Sequence, residues 1–109
     1  KQALLNATEL DTRLVMRPLR NTERVLNNMA VERLLKKEKS LGQDIDFAAI
    51  QDEVVGVYPE IMLKGKMDSG VWSCGLVTGL INDVPTVKEL IDRIISQAKY
   101  LINQRLAEL

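Results

Sequence analysis

GVWSCGLVTGLINDVPTVKELIDRIISQAKYLINQRLAEL, residues 70–109, is the stretch from which the rest of the chain is read. Its second half carries a Thr-x-x-Glu capping box, Thr86 and Glu89, just ahead of an apolar run. Val87, Leu90, Ile91, Ile94, Ile95, Ala98, Leu101, Ile102 and Leu106 then recur at spacings of three and four, which places them on one face of a helix. A helix from Val87 to Glu108 would be roughly 33 Å long, and its stripe needs a partner of comparable length. The first half, with Gly70, Gly75 and Gly79, reads as a short glycine-notched helix over Val71–Ile81, with Gly75 and Gly79 one turn apart. Close helix packing or close approach to a ligand would each account for that spacing.

Working outward, Lys64 to Gly70 is a turn-rich loop, preceded by a helix over Phe47–Val55 that buries Phe47, Ile50 and Val54 and is capped by Asp44 or Asp46. A longer helix begins after an Asn21 or Thr22 cap, carries Val25, Leu26, Met29, Ala30, Leu34, Leu35 and Leu41 as its apolar positions, and ends at Gly42. Thr12 to Met16 is the best strand, closed by Pro18, and its mate is expected within Val54 to Met62, where Pro59 confines pairing to an edge. Lys1 to Ala7 reads as the last turns of a helix. The fold class is therefore mainly α, with at most one short strand pair.

With 109 residues, 46% of them hydrophobic and four aromatic, the chain suits one aliphatic core. Fifteen basic and fifteen acidic residues cancel, but unevenly: Arg13 to Lys39 is predominantly basic and Asp44 to Glu60 wholly acidic. Mutual pairing of the two segments, or their separate solvation, accounts for this; anion binding by Arg17, Arg20 and Arg24 is the functional alternative. These arginines, near Pro18 and an expected helix start, could take phosphate or carboxylate, or hold a partner. The single Cys74 excludes an internal disulfide and fits a reducing cytoplasm; beside Gly75 near a helix start it is either a small buried apolar residue or a thiol activated by the helix dipole. No histidine is present, which removes histidine-activated nucleophiles and histidine-ligated metals. Paired carboxylates such as Asp52 and Glu53 are adjacent on a helix and diverge, and no phosphate-binding glycine motif appears. The aromatic residues do not interleave with the basic ones, against a nucleic-acid platform.

Two stretches resemble the nitronate monooxygenase (2-nitropropane dioxygenase) family of FMN enzymes. They are Arg17-Pro-Leu-Arg-Asn-Thr-Glu-Arg-Val-Leu-Asn-Asn28 and Gly70-Val-Trp-Ser-Cys-Gly-Leu-Val-Thr-Gly-Leu-Ile-Asn-Asp-Val-Pro85. The second is similar to that family's Gly-x-Trp-Ser-x-Gly-Gln-x-x-Gly-Leu-Ile-x-Asp-x-Pro pattern, with Leu76 where glutamine is expected. The resemblance implies a parent (β/α)8 barrel with FMN at the C-terminal strand ends and a small helical domain inserted before the last barrel helix. Residues 1–69 would be that inserted domain, and residues 70–109 the closing segment and final helix. Ser73, Cys74 and Gly75, with Trp72, would line the flavin cleft, while the catalytic histidine and phosphate loops lie elsewhere in the parent. The chain, which begins in mid-pattern without methionine, is accordingly expected to hold no FMN and turn over nothing by itself.

Three functional expectations follow from the resemblance and the stripe. The first is an FMN-dependent oxidation of alkyl nitronates by the parent. The second is a related flavin enoyl-acyl-carrier-protein reductase, whose acidic carrier would dock on Arg17, Arg20 and Arg24. The third is a free-standing helical oligomerisation module. The Val87 to Leu106 face is expected to be covered by the remainder of a barrel, by the inserted helices or by a second copy.

Overall fold

The computed structural model describes residues 1–108, and it is mostly helical with one two-stranded sheet. Helix α1 (Gln2–Asn6) leads to an antiparallel hairpin of β1 (Thr12–Val15) and β2 (Glu23–Leu26). Thr12 pairs with Leu26 and Val15 with Glu23. The mate of β1 is thus the segment expected to open the next helix, and Val54 to Met62 is not a strand. That segment holds the last residue of α3 (Gln51–Val54) and the whole of α4 (Tyr58–Met62), with Gly56 turning between them at φ 70°. Pro59 sits in the first turn of α4, where its missing N–H costs nothing.

The hairpin prevails because β1 cannot stand alone and because Val25 and Leu26 are both buried. Its connection bends back through Met16 and Arg20, both at positive φ, and the Met16 amide donates to the Glu38 carboxylate. Helix α2 (Met29–Leu41) therefore starts late, at Asn28 rather than at Asn21 or Thr22. The Asn28 carbonyl oxygen caps the Val31 amide at 2.9 Å, while its amide nitrogen donates to the carbonyls of Met67 and Gly70 at 2.8 and 3.0 Å. One side chain thereby starts the helix and pins the 65–70 loop. Gly42 ends α2 with φ 55°.

Phe47 begins a single 3-10 turn, Phe47–Ala49, capped by Asp46, and is 52% exposed rather than buried. The core has two neighbouring parts. Val15, Met16, Val25, Ala30, Val31, Leu34, Ile45, Ile50 and Val71 fill one; Leu26, Val57, Ile61, Trp72 and Cys74 fill the other. Burial of a side chain such as Leu34, wholly inaccessible, contributes about 2 kcal/mol.

The basic and acidic segments do face each other. Arg33 pairs with Glu53, and Lys37 with Asp52, across the α2–α3 contact. Helix α5 (Val87–Tyr100), extended by a π turn over Leu101–Arg105, carries the expected capping box of Thr86 and Glu89. Its apolar stripe, however, is not covered by the other helices of the chain: no residue of α5 is buried. The connection from Asn82 to Pro85 has no regular secondary structure. No helix among the described residues is long and apolar enough to cross a membrane.

Candidate functional site

Residues 70–75 do not continue a helix. Val71 to Cys74 run extended along β2: the Leu26 amide donates to the Trp72 carbonyl at 3.3 Å, and the Cys74 amide to the Arg24 carbonyl at 3.0 Å. Ser73 bridges Val25 in antiparallel fashion. Extended backbone alternates its side chains, so Trp72 and Cys74 enter the second part of the core while Ser73 stays outside. A 3-10 helix then occupies Leu76–Leu80. The glycine spacing expected to mark one α-helical face therefore has a different meaning at each position. A Cβ on Gly79 would come within 2.5 Å of a Glu9 carboxylate oxygen and 3.1 Å of the Glu9 amide, so Gly79 serves close packing. Gly75 meets no such neighbour.

Ser73 is held from two elements. Its hydroxyl donates to the Glu23 carboxylate on β2 and lies 3.2 Å from the Tyr58 hydroxyl at the start of α4. With its own proton committed to Glu23, Ser73 Oγ accepts from Tyr58, and Tyr58 Oη accepts in turn from the Ser73 amide at 3.4 Å. Sequence reading missed Glu23 and Tyr58. Glu23 lay in a segment read as helix, and no local pattern links either residue to Ser73, 50 and 15 positions away.

Beside this cluster lies an open cleft of about 260 Å³. Leu4, Met62, Trp72, Val77 and Ile81 make its apolar wall, and Ser73, Cys74 and Gly75 run along it. The structure therefore brings the three residues expected to line a cleft to one wall. Cys74 is buried among apolar neighbours, the simpler of its two readings, and heads no α-helix. Two residues of this wall, Trp72 and Thr78, each bury a polar atom without a hydrogen-bond partner, Nε1 and Oγ1. No lysine or arginine lines the cleft.

The three arginines are not assembled into one pocket. Arg17 and Arg20 lie in the hairpin connection and are exposed, whereas Arg24 lies on β2 and donates to Thr12 Oγ1 at 2.8 Å. The helix start expected beside them is absent, since α2 begins at Met29. A second, larger cleft of about 460 Å³ separates α5 from the segment Leu80–Pro85. Arg93 spans it, donating to both oxygens of Asp83 at 3.2 and 2.7 Å, which holds the Asp83 carboxyl below its ordinary range. Among the described residues no cluster of three potential metal ligands occurs.

No family model matches the chain. Among solved structures it is similar to FabK from Thermotoga maritima, over 100% of this chain and 33% of that one, with 20% identity and a TM-score of 0.80. A single-residue mutant of the same protein matches over 100% and 31%, with 18% identity and a TM-score of 0.73. The chain thus spans about a third of the length of the structures it matches, and the likeness is one of fold.

Proposed function

We propose that this chain forms one wall of the flavin site of an FMN-dependent oxidoreductase of the enoyl-acyl-carrier-protein reductase type. The observation that carries the reading is the match of the whole chain to a third of FabK. Of the two flavoenzyme readings suggested by residues 17–28 and 70–85, the reductase is the one this neighbour favours over nitronate oxidation.

The residues present suit part of FMN and not all of it. At about 260 Å³ the cleft is smaller than the usual pocket for a cofactor-sized ligand. Its apolar wall suits the edge of a flat ring. The absence of a cationic side chain from the lining leaves the phosphate to be held elsewhere. When bound, FMN supplies hydride transfer. The contribution of this chain is positional: Glu23 and Tyr58 fix Ser73, and through it the backbone of Cys74 and Gly75, against the cleft. Domain organisation follows the same reading, with residues 1–69 as the inserted helical unit and 70–109 as the closing segment and final helix.

Trp72 is the one tryptophan of these 109 residues and forms part of the cleft wall. FMN titrated into the complete polypeptide that carries this sequence should quench the share of tryptophan emission that Trp72→Phe removes. NAD(P)H oxidation should then depend on a trans-2-enoyl thioester. Consumption of an alkyl nitronate in place of that thioester would favour the monooxygenase, and a polypeptide that takes up no flavin would end both readings.

A further inference from the structure

Asn28 closes the first stretch of family resemblance, residues 17–28, and Gly70 opens the second, residues 70–85. The two are joined directly: Asn28 Nδ2 donates to the Gly70 carbonyl at 3.0 Å and to the Met67 carbonyl at 2.8 Å. Both amide protons are thereby used, and Oδ1 accepts from the Val31 amide at 2.9 Å. A flipped side chain would set its oxygen against two carbonyls and its nitrogen against an N–H, so only this orientation satisfies all three groups.

Further hydrogen bonds tie the same loop to the start of α2. The Met29 amide donates to Asp68 Oδ1 at 2.9 Å, and Arg33 Nη2 donates to the Asp68 carbonyl at 3.2 Å. Just beyond, the Val71 amide donates to the Glu53 carbonyl, and Trp72 and Cys74 pair with Leu26 and Arg24 of β2. Asn28 lies two residues after the end of β2, so the strand and the clamp on the loop belong to one continuous run of chain. The clamp therefore fixes where the cleft wall enters beside β2. Register matters there, because a slip of one residue would turn Trp72 and Cys74 out of the core and Ser73 into it.

We infer that Asn28 is a positioning residue for the flavin wall. Its two donors set the entry of residues 70–75 and so place Trp72, Ser73, Cys74 and Gly75 along the cleft, a role separate from its capping of α2. The inference rests on the flavin reading of that cleft.

Variants of the complete polypeptide separate the two roles. Asn28→Asp keeps a capping oxygen and sets a carboxylate against the two carbonyls; Asn28→Ser keeps a capping oxygen without adding charge and lacks the pair of donors. Asn28→Ala loses cap and donors together. All three should raise the FMN dissociation constant about tenfold and accelerate exchange of the Val71 and Cys74 amides, whereas only Asn28→Ala should accelerate exchange of the Val31 amide. Flavin bound by Asn28→Asp and Asn28→Ser as tightly as by the wild type would overturn the inference and leave the flavin reading standing, since the cap and not the donors would then matter. Unchanged exchange at Val71 and Cys74 in all three variants would overturn it as well. A polypeptide that takes up no flavin even with Asn28 in place would overturn the inference together with the reading beneath it.

Discussion

Arg33 meets Glu53 through two parallel hydrogen bonds, each 2.8 Å, from Nε and Nη2 to the two carboxylate oxygens. The Glu53 side chain is 6% exposed and that of Arg33 47%, so a buried anion is neutralised from the solvent side. The Glu53 carbonyl meanwhile accepts from the Val71 amide at 2.7 Å. One residue of α3 thus ties α2 to the segment that lines the cleft.

Loss of the guanidinium should leave the Glu53 carboxylate with only the more distant Lys37 ammonium, 3.9 Å away. Arg33→Met is expected to destabilise the chain by about 2 kcal/mol, measured by urea denaturation. Glu53→Gln, which retains a hydrogen-bond acceptor and removes the buried charge, should cost less. Equal losses would mean that charge is not what the pair supplies.

Gly70 lies against Val57, where an added Cβ would fall 2.3 Å from the valine Cβ and Cγ1. Gly56 has open space but a φ of 70°. Gly70→Ala should therefore cost about 3 kcal/mol through forced repacking of Val57, and Gly56→Ala about 1 kcal/mol through backbone strain alone. Thermal unfolding of the two variants ranks them, and the reverse order would contradict the packing described around Val57.

Thr86 accepts from the Glu89 amide at 3.2 Å and its own amide donates to the Glu89 carboxylate at 2.7 Å. A 14-residue helix that buries nothing within its own chain relies heavily on such a cap. Thr86→Ala should remove about 1 kcal/mol of local helix stability. Amide exchange within α5 of the single chain should accelerate about fivefold, while protection of β1 and β2 stays constant. Uniform acceleration across the chain would show instead that α5 unfolds with the rest.

Hydrogen bonds from Lys64 and then Lys66 lower the Glu60 carboxyl from 4.5 to about 2. Arg93 lowers Asp83, Lys37 lowers Asp52, and Thr8 lowers Asp11 by the same kind of contact. The folded state then binds fewer protons than the unfolded state between the two titrations. Its stability from these groups is complete above about pH 4.5 and is lost as pH falls toward 2. The melting temperature should be level from pH 7 to 5 and decline below that. The NMR titration of Glu60 should return toward 4.5 in Lys64→Met with Lys66→Met.

Some of this was legible in residue order because it depends on neighbours within four positions. The Thr86–Glu89 box, the α5 stripe and the Gly42 stop are local events, decided by helix geometry and backbone conformation. The uneven distribution of charge was legible too, but residue order left mutual pairing and separate solvation of the two segments equally open, and only the α2–α3 contact brought Arg33 to Glu53 and Lys37 to Asp52. Which residues occupy the cleft wall was suggested by a resemblance, and the side chains that hold Ser73 were not legible at all.

The pairing of β1 and the path of residues 70–75 were decided only in three dimensions. Glu23 to Leu26 has apolar spacing compatible with a helix, but the unpaired edge of β1 has amides and carbonyls that must be satisfied, and β2 satisfies them. The same requirement on the other edge of β2 draws Trp72 to Cys74 into extended pairing and cancels the helix that their sequence suggests. Sequence by itself determined the amphipathic character of α5 and its capped start. Tertiary structure decided that its apolar face stays exposed, because the apolar residues of the other elements pack with one another in the two parts of the core, neither of which includes α5.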